Sequence, residues 1–189
     1  MLLYINACVR KNSRTDELAR FVLSKSSDSD TQEVNLQKER ILPLDEETLS
    51  RRDNCIASGN FSDAVFSYAR QFAQADEIVI SAPYWDLLFP SSVRTYFERV
   101  CAVGVTFAYT ESGEPKSLCK AKRLTYITTA GGFIGEQHLG FEYVRSIATQ
   151  FFGICDIRMV KAEGLDIVGA DVRKIIEKAK QDYQRNNKQ

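Results

Sequence analysis

The chain has 189 residues, enough for one well-buried α/β domain and short for two. Its 25 basic and 25 acidic residues cancel, which removes the electrostatic footprint of a nucleic-acid binder, and 44% apolar against 26% charged residues excludes disordered and fibrous classes. No run of about eighteen apolar residues is present to insert into a membrane, and the opening MLLYINACVRK places apolar before basic residues, the reverse of a signal peptide, so a cytoplasmic location is expected.

Leu2 to Asn6 is the first short apolar run, and the polar loop Ala7 to Arg14 leads into the helical pattern of Leu18, Ala19, Val22 and Leu23. Ser13 and Thr15 stand at or near that helix's N-terminus. Free backbone N–H groups and the positive end of the helix dipole favour a phosphate there, with Arg10 or Arg14 to neutralise it; simple capping of the helix by a hydroxyl is the plainer use. Glu33 to Leu36 is a weak second strand whose polar neighbours place it at a sheet edge. After Pro43, Leu44 to Cys55 and Ser62 to Ala75 are two helical segments separated by Ser58-Gly59-Asn60.

Glu77 to Ala82 carries Ile78, Val79 and Ile80 in succession, the pattern of a parallel strand covered on both faces. Pro83 cannot continue the ladder, so the chain leaves the sheet into Tyr84-Trp85-Asp86-Leu87-Leu88-Phe89. So much apolar surface in a loop needs something to pack on, either a planar ligand or a neighbouring helix or subunit. Pro90 starts a helix from about Ser91 to Val103, with Val93, Tyr96, Phe97 and Val100 on one face and Gly104 to end it. Val105 to Thr110 is extended, and Glu111 to Pro115 is turn chemistry. Arg123 to Thr129 is the fourth core strand, and the adjacent glycines of the following Ala130-Gly131-Gly132 permit close backbone approach to a ligand or simply make a turn. Gly140 to Phe152 is helical, Ile154 to Lys161 is the fifth strand, and Asp171 to Tyr183 is a charged helix.

Strands alternating with helices predict a flavodoxin-like doubly wound, five-stranded parallel sheet with helices on both faces, spanning residues 1–189 as a single domain. No G-x-G-x-x-G follows any strand, so the dinucleotide fingerprint is absent. The loops after the first, third and fourth strands converge on the carboxyl edge, where ligands of open α/β sheets bind. Together they supply a phosphate anchor, a hydrophobic wall and a backbone-donor cradle, the inventory for flavin mononucleotide (FMN). Cys8, Cys55, Cys101, Cys119 and Cys155 form no C-x-x-C pair and have only His138 for company, so no metal site is expected and the thiols are expected to be reduced.

The loop ending Ser13-Arg14-Thr15, the run APYWDLLFPSSVRTYFERV, GVTFAYTESGEP, the TTAGG loop and FFGICDIRMVKAEG resemble, in joint order and spacing, the flavodoxin-like FMN-dependent NAD(P)H oxidoreductases of the azoreductase and quinone-reductase family. The resemblance covers nearly the whole chain. It implies an FMN enzyme, usually homodimeric, in which NADH or NADPH reduces the flavin, leaves, and is replaced by a quinone or azo compound taking two electrons. Carried over by position, the phosphate loop falls on Ser13 and Thr15, the flavin-ring loop on Pro83, Tyr84, Trp85, Asp86 and Leu87, and the second ring loop on Thr129, Ala130, Gly131 and Gly132. Asp86 stands where azoreductases commonly have Asn, Cys8 where many relatives have Ser, and Ala130 where some have a larger residue. Trp85 and its loop are expected to close one side of the flavin. Phe107 and Phe133 are candidates for the substrate side, with core or interface packing as their alternative role, and His138 is either a proton donor to reduced quinone or a solvated loop histidine. Two readings from other classes stay open: a flavodoxin-type electron carrier, and a non-catalytic flavin-binding redox sensor.

Overall fold

In the computed structural model, which describes residues 1–26, 30–136 and 138–187, five parallel strands form one sheet in the order β2-β1-β3-β6-β7. They are β1 (Leu2–Asn6), β2 (Thr31–Asn35), β3 (Glu77–Ser81), β6 (Arg123–Thr129) and β7 (Asp156–Ala162). This is the doubly wound order in which the direction of winding reverses between β1 and β3, and all five carboxyl ends lie along one edge. The expected fold and the edge position of β2 are both borne out.

Strand pleating divides the core. Leu3, Ile5, Ile78 and Ile80 point to one face, where they meet Phe72 of α4 (Ser67–Gln74), Val93, Tyr96, Phe97 and Val100 of α5 (Ser91–Val100), and Val144 and Ala148 of α6 (Leu139–Gln150). Leu2, Tyr4 and Val79 point to the other, against Leu18, Ala19 and Val22 of α1 (Arg14–Leu23) and Ile176 and Ala179 of α7 (Val172–Asn186). Because β3 feeds both clusters, its uninterrupted apolar run is what a central strand requires.

Several elements differ in detail from the sequence pattern. Leu36 ends no strand: it opens a single helical turn, α2 (Leu36–Glu39), capped by the Asn35 side chain, which accepts from the N–H groups of Gln37 and Lys38. The Leu44 to Cys55 segment starts later, as α3 (Glu46–Ala57), because Asp45 caps it by accepting from Thr48 N–H. The Ser62 to Ala75 segment begins with a 3₁₀ turn at Ala64–Phe66 before α4. Past the α5 helix, Phe107–Tyr109 (β4) and Pro115–Ser117 (β5) pair as an antiparallel hairpin around the expected turn.

Helix α5 stops at Val100, three residues short of the expected end, because side chains take its last carbonyls. Arg52, only 8% exposed, donates to the carbonyls of Glu98 (3.0 Å) and Cys101 (2.6 Å), and Thr106 Oγ1 donates to that of Val100 (2.8 Å). A cation at the negative end of the helix dipole partly offsets its own burial. The aromatic face of α5 is spent on its own chain: Val93, Tyr96, Phe97 and Val100 are at most 1% exposed, while Ser91 and Arg94 face outward. That helix therefore leaves no aromatic surface for a partner.

Candidate functional site

At the carboxyl edge, spanning the winding reversal between β1 and β3, lies a cleft of about 370 Å³. The β1–α1 loop supplies Val9, Arg10, Asn12, Ser13, Arg14 and Thr15; the loop after β3 supplies Pro83, Tyr84 and Trp85; the loop after β6 supplies Thr129, Ala130 and Gly131; Leu165 and Asp166 come from the loop after β7. The structure thus brings together most of the residues singled out in the three loops. Asp86, Leu87 and Gly132 stand outside the lining.

Ser13 is the N-cap of α1, and its Oγ accepts from Asp16 N–H at 3.3 Å. Accepting leaves the hydroxyl proton free to donate elsewhere, so capping and phosphate binding are compatible. Thr15 is 1% exposed, and its Oγ1 sits 2.6 Å from that of Thr129. Its side chain thus clamps the first loop to the third, leaving its main-chain N–H in the helix's first turn as the group suited to an anion. Arg10 is exposed and has no ion pair among the described residues. Arg14 is engaged: its Nη1 donates to Asp166 Oδ1 (2.7 Å) and to the Leu165 carbonyl (3.3 Å).

Beneath the cleft, a polar network fixes the ends of β1 and β3. Asn6 Oδ1 accepts from Cys8 N–H (2.9 Å), and its amide donates to Asp16 (3.0 Å) and Glu33 (2.9 Å). The Tyr4 hydroxyl bridges Asp16 and Ser81. Burial raises the Cys8 thiol above its ordinary range, its Sγ lying 3.5 Å from Ser81 Oγ. A neutral thiol packed this way is a poor nucleophile and a poor redox sensor.

The aromatic loop is a tight hairpin tip. Trp85 and Leu88 face each other, with Leu88 N–H donating to the Trp85 carbonyl at 2.8 Å, and the two residues between them, Asp86 (φ 49°) and Leu87 (φ 69°), are both left-handed. That is the backbone of a two-residue turn that normally takes Asn-Gly, so Leu87 in particular carries strain. The turn is clamped from outside: Tyr84 N–H donates to the Thr129 carbonyl (3.0 Å), and Gly140 of α6 packs so tightly on Leu88 and Phe89 that a Cβ there would stand 3.3 Å from the Leu88 carbonyl carbon. Asp86 is exposed and makes no hydrogen bond or ion pair among the described residues. It does not cap α5, and Arg94 is taken by Glu98 and Tyr143.

The third loop is zipped to the segment after β7. Gly164, Leu165 and Asp166 donate their N–H groups to the carbonyls of Gly132, Ala130 and Gly131, at 2.9, 3.1 and 2.9 Å. A Cβ on Gly131 would collide with the Asp166 carboxylate, so a larger residue there would have to push that side chain aside. The N–H groups of Gly131 and Gly132 have no partner among the described residues. Sequence reasoning missed Val9 and Asn12 within the first loop and the whole contribution of Leu165 and Asp166; for the latter pair the available signal was their position just after the fifth strand, on the same edge as the other loops.

Three expected positions move. Phe107 is 5% exposed and packs on Phe151, ring centroids 4.7 Å apart, remote from the cleft of its own chain. Phe133 is 75% exposed and lies over Gly164 at a neighbouring groove between β7 and α7. His138 is neither solvated nor in the cleft: at 6% exposure it caps α6, its Nδ1 accepting from Phe141 N–H (3.0 Å), with Tyr84 and Tyr126 edge-on against its ring. Desolvation lowers its pKa, so it stands neutral behind Tyr84 as a support for the hairpin. Among the described residues there is no group of side chains suited to a metal ion, and no helix long and apolar enough to cross a membrane.

A family model described as the flavodoxin-like fold matches residues 1–186. The chain belongs to this flavodoxin-like family. It is 40% identical over 157 residues to FMN-dependent NADH:quinone oxidoreductase 2 of Clostridium acetobutylicum, covering 78% of this chain and 77% of that protein. With the FMN-dependent NADH:quinone oxidoreductase of Lachnoclostridium phytofermentans it shares 34% identity over 188 residues, 95% of this chain and 94% of the relative. Among solved structures, an azoreductase from Bacillus anthracis superposes with a TM-score of 0.82 at 23% identity, covering 97% and 96% of the two chains, a likeness of fold.

Proposed function

We propose that the chain, acting as one domain, is an FMN-dependent NAD(P)H oxidoreductase that reduces quinones, azo compounds or both by two electrons, with donor and acceptor using the same open side of the cleft in turn. The carrying observation is the convergence of the Ser13 hydroxyl, the α1 N-terminus, Arg10 and Arg14 with the Tyr84-Trp85 wall and unpaired loop N–H groups in one cleft. Its donor set fits an anion at one end and a planar ring at the other. FMN bound there supplies hydride acceptance and two-electron release.

The protein's own tasks are binding, orientation and exclusion of water from one ring face. Ser13, Arg10 and the N–H groups of the first helical turn hold the phosphate. Tyr84 and Trp85 cover one face of the ring, and the strained, clamped hairpin keeps them still. Gly131 offers its unpaired N–H as a donor to ring or ribityl oxygens. With His138 buried and neutral, protons for a reduced acceptor come from solvent at the mouth of the cleft. The cleft's two arginines against a single acidic side chain, Asp166, speak against an electron carrier that docks by an acidic rim. Burial and the raised thiol pKa of Cys8 speak against a redox sensor built on that cysteine.

NADH is the donor in the relatives' names. A homodimer belongs to the reading too, with its apolar contact now sought at the hairpin tip, where Leu87 and Leu88 are 62% and 40% exposed and Leu139 is 46% exposed. Visible spectra before and after anaerobic NADH test the flavin reading: a colourless protein that FMN cannot reconstitute ends it. A monomeric mass by light scattering, with turnover intact, ends the dimer.

A further inference from the structure

Among the described residues, Asp166 is the one acidic side chain lining a cleft whose anionic ligand should want none. Its placement is built. The Asp166 N–H is fixed to the Gly131 carbonyl (2.9 Å), its carboxylate fills the space a Cβ on Gly131 would take, and Oδ1 holds Arg14 at 2.7 Å. Arg14 Nη1 is further tied to the Leu165 carbonyl. Four loops meet at the cleft, and this ion pair joins the first to the last across 152 residues of sequence. Both side chains are substantially exposed, 41% for Arg14 and 69% for Asp166, so the pair is weak enough to open.

We infer that Asp166 is a specificity-determining residue of the cleft: it competes with the ligand's phosphate for Arg14 and thereby limits how strongly the site prefers a phosphorylated flavin over an unphosphorylated one. Arg10, which has no ion pair among the described residues, is left as the permanent counter-ion, and Arg14 is a conditional one. A phosphate approaching the α1 N-terminus meets one free guanidinium, one occupied guanidinium and one repelling carboxylate. Removing the carboxylate's charge adds attraction and subtracts repulsion at once. The opposite sign is equally definite: if Asp166 serves to hold Arg14 in a phosphate-binding pose, its loss weakens binding.

This inference rests on the proposed placing of FMN in the cleft, and the test separates the two. Full-length protein freed of flavin is titrated with FMN and with riboflavin by fluorescence quenching, as wild type and as Asp166→Asn. The expected result is FMN tightened by about threefold to fivefold, the size of an exposed ion-pair effect, with riboflavin unchanged. Arg14→Ala in the Asp166→Asn background should remove the part of that gain that Arg14 carries, so its effect there exceeds that of Arg14→Ala alone. Asp166→Ser, which also removes the charge, must act in the same direction if Asp166→Asn fails to fold. Weaker FMN binding, or equal changes for FMN and riboflavin, overturns the inference. A wild type that binds neither flavin ends the flavin reading alone; the role of Asp166 is then decided by inorganic phosphate, which should raise the melting temperature of Asp166→Asn more than that of wild type, an equal rise refuting it.

Discussion

Replacing Ser13 with alanine separates two uses of one hydroxyl. As N-cap of α1 its oxygen accepts from Asp16 N–H at 3.3 Å, a long bond, so the loss of helix stability falls near about 1 kcal/mol. For a chain of this size that lowers the melting temperature by about 2 to 4 °C. As a donor to a phosphate the same group makes a hydrogen bond to a charge, worth about 1.5 to 3 kcal/mol, or about 10- to 150-fold in FMN affinity. Riboflavin, which lacks the phosphate, should bind within about twofold of wild type. Fluorescence-quenching titrations of both flavins, paired with thermal melts, read the two effects separately. Thr15→Val should cost stability by orphaning the Thr129 hydroxyl, 2.6 Å away, and affect FMN less than Ser13→Ala does, because the Thr15 main-chain N–H remains. If FMN and riboflavin weaken in parallel in Ser13→Ala, or FMN affinity holds while the melting temperature drops, Ser13 is a cap and the phosphate lies elsewhere.

Asp86 has no partner to lose among the described residues, so Asp86→Asn should raise the FMN midpoint potential by removing a charge that opposes reduction. A screened charge within about 4 Å of the ring gives about 1 kcal/mol, which is about 20 mV in a two-electron couple; an unchanged potential in spectroelectrochemical titration would leave Asp86 a turn residue. Arg52→Met strips two carbonyls at the end of α5 of their donors, at about 1 kcal/mol each, so the protein should melt roughly 4 to 8 °C lower with FMN affinity intact, and an undiminished melting temperature would mean that burying the guanidinium cancels its bonds. Because the His138 pKa is lower in the folded than in the unfolded chain, its share of stability is complete above the unfolded value of about 6.5 and is lost as pH falls through the folded value, with Lys161 opposing and Glu142 and Glu163 favouring protonation. His138→Asn, which can still cap α6, should flatten that acid limb in urea titrations between pH 7 and 5, and an identical slope in both proteins would acquit His138.

Periodicity and turn chemistry were enough to determine the strands and their order of appearance. Leu2 to Asn6, the Ile78-Val79-Ile80 run and Arg123 to Thr129 are buried strands, and the aromatic loop leaves the sheet at Pro83, all through interactions within a few residues. The three loops could likewise be placed on one edge, because a parallel sheet puts every strand's carboxyl end there. Which residues of those loops face one another was decided by contacts that no local pattern encodes. Thr15 meets Thr129, Arg14 meets Asp166, and α6 supplies Gly140 as the floor of the hairpin and His138 as its backing, each across a separation set by sheet order. The same holds for burial. Phe107, Phe133 and the aromatic face of α5 carry equal hydrophobicity in the sequence, yet Phe107 packs on Phe151, α5 spends its face on its own core, and Phe133 stays in solvent, because a side chain's burial is fixed by what folds over it.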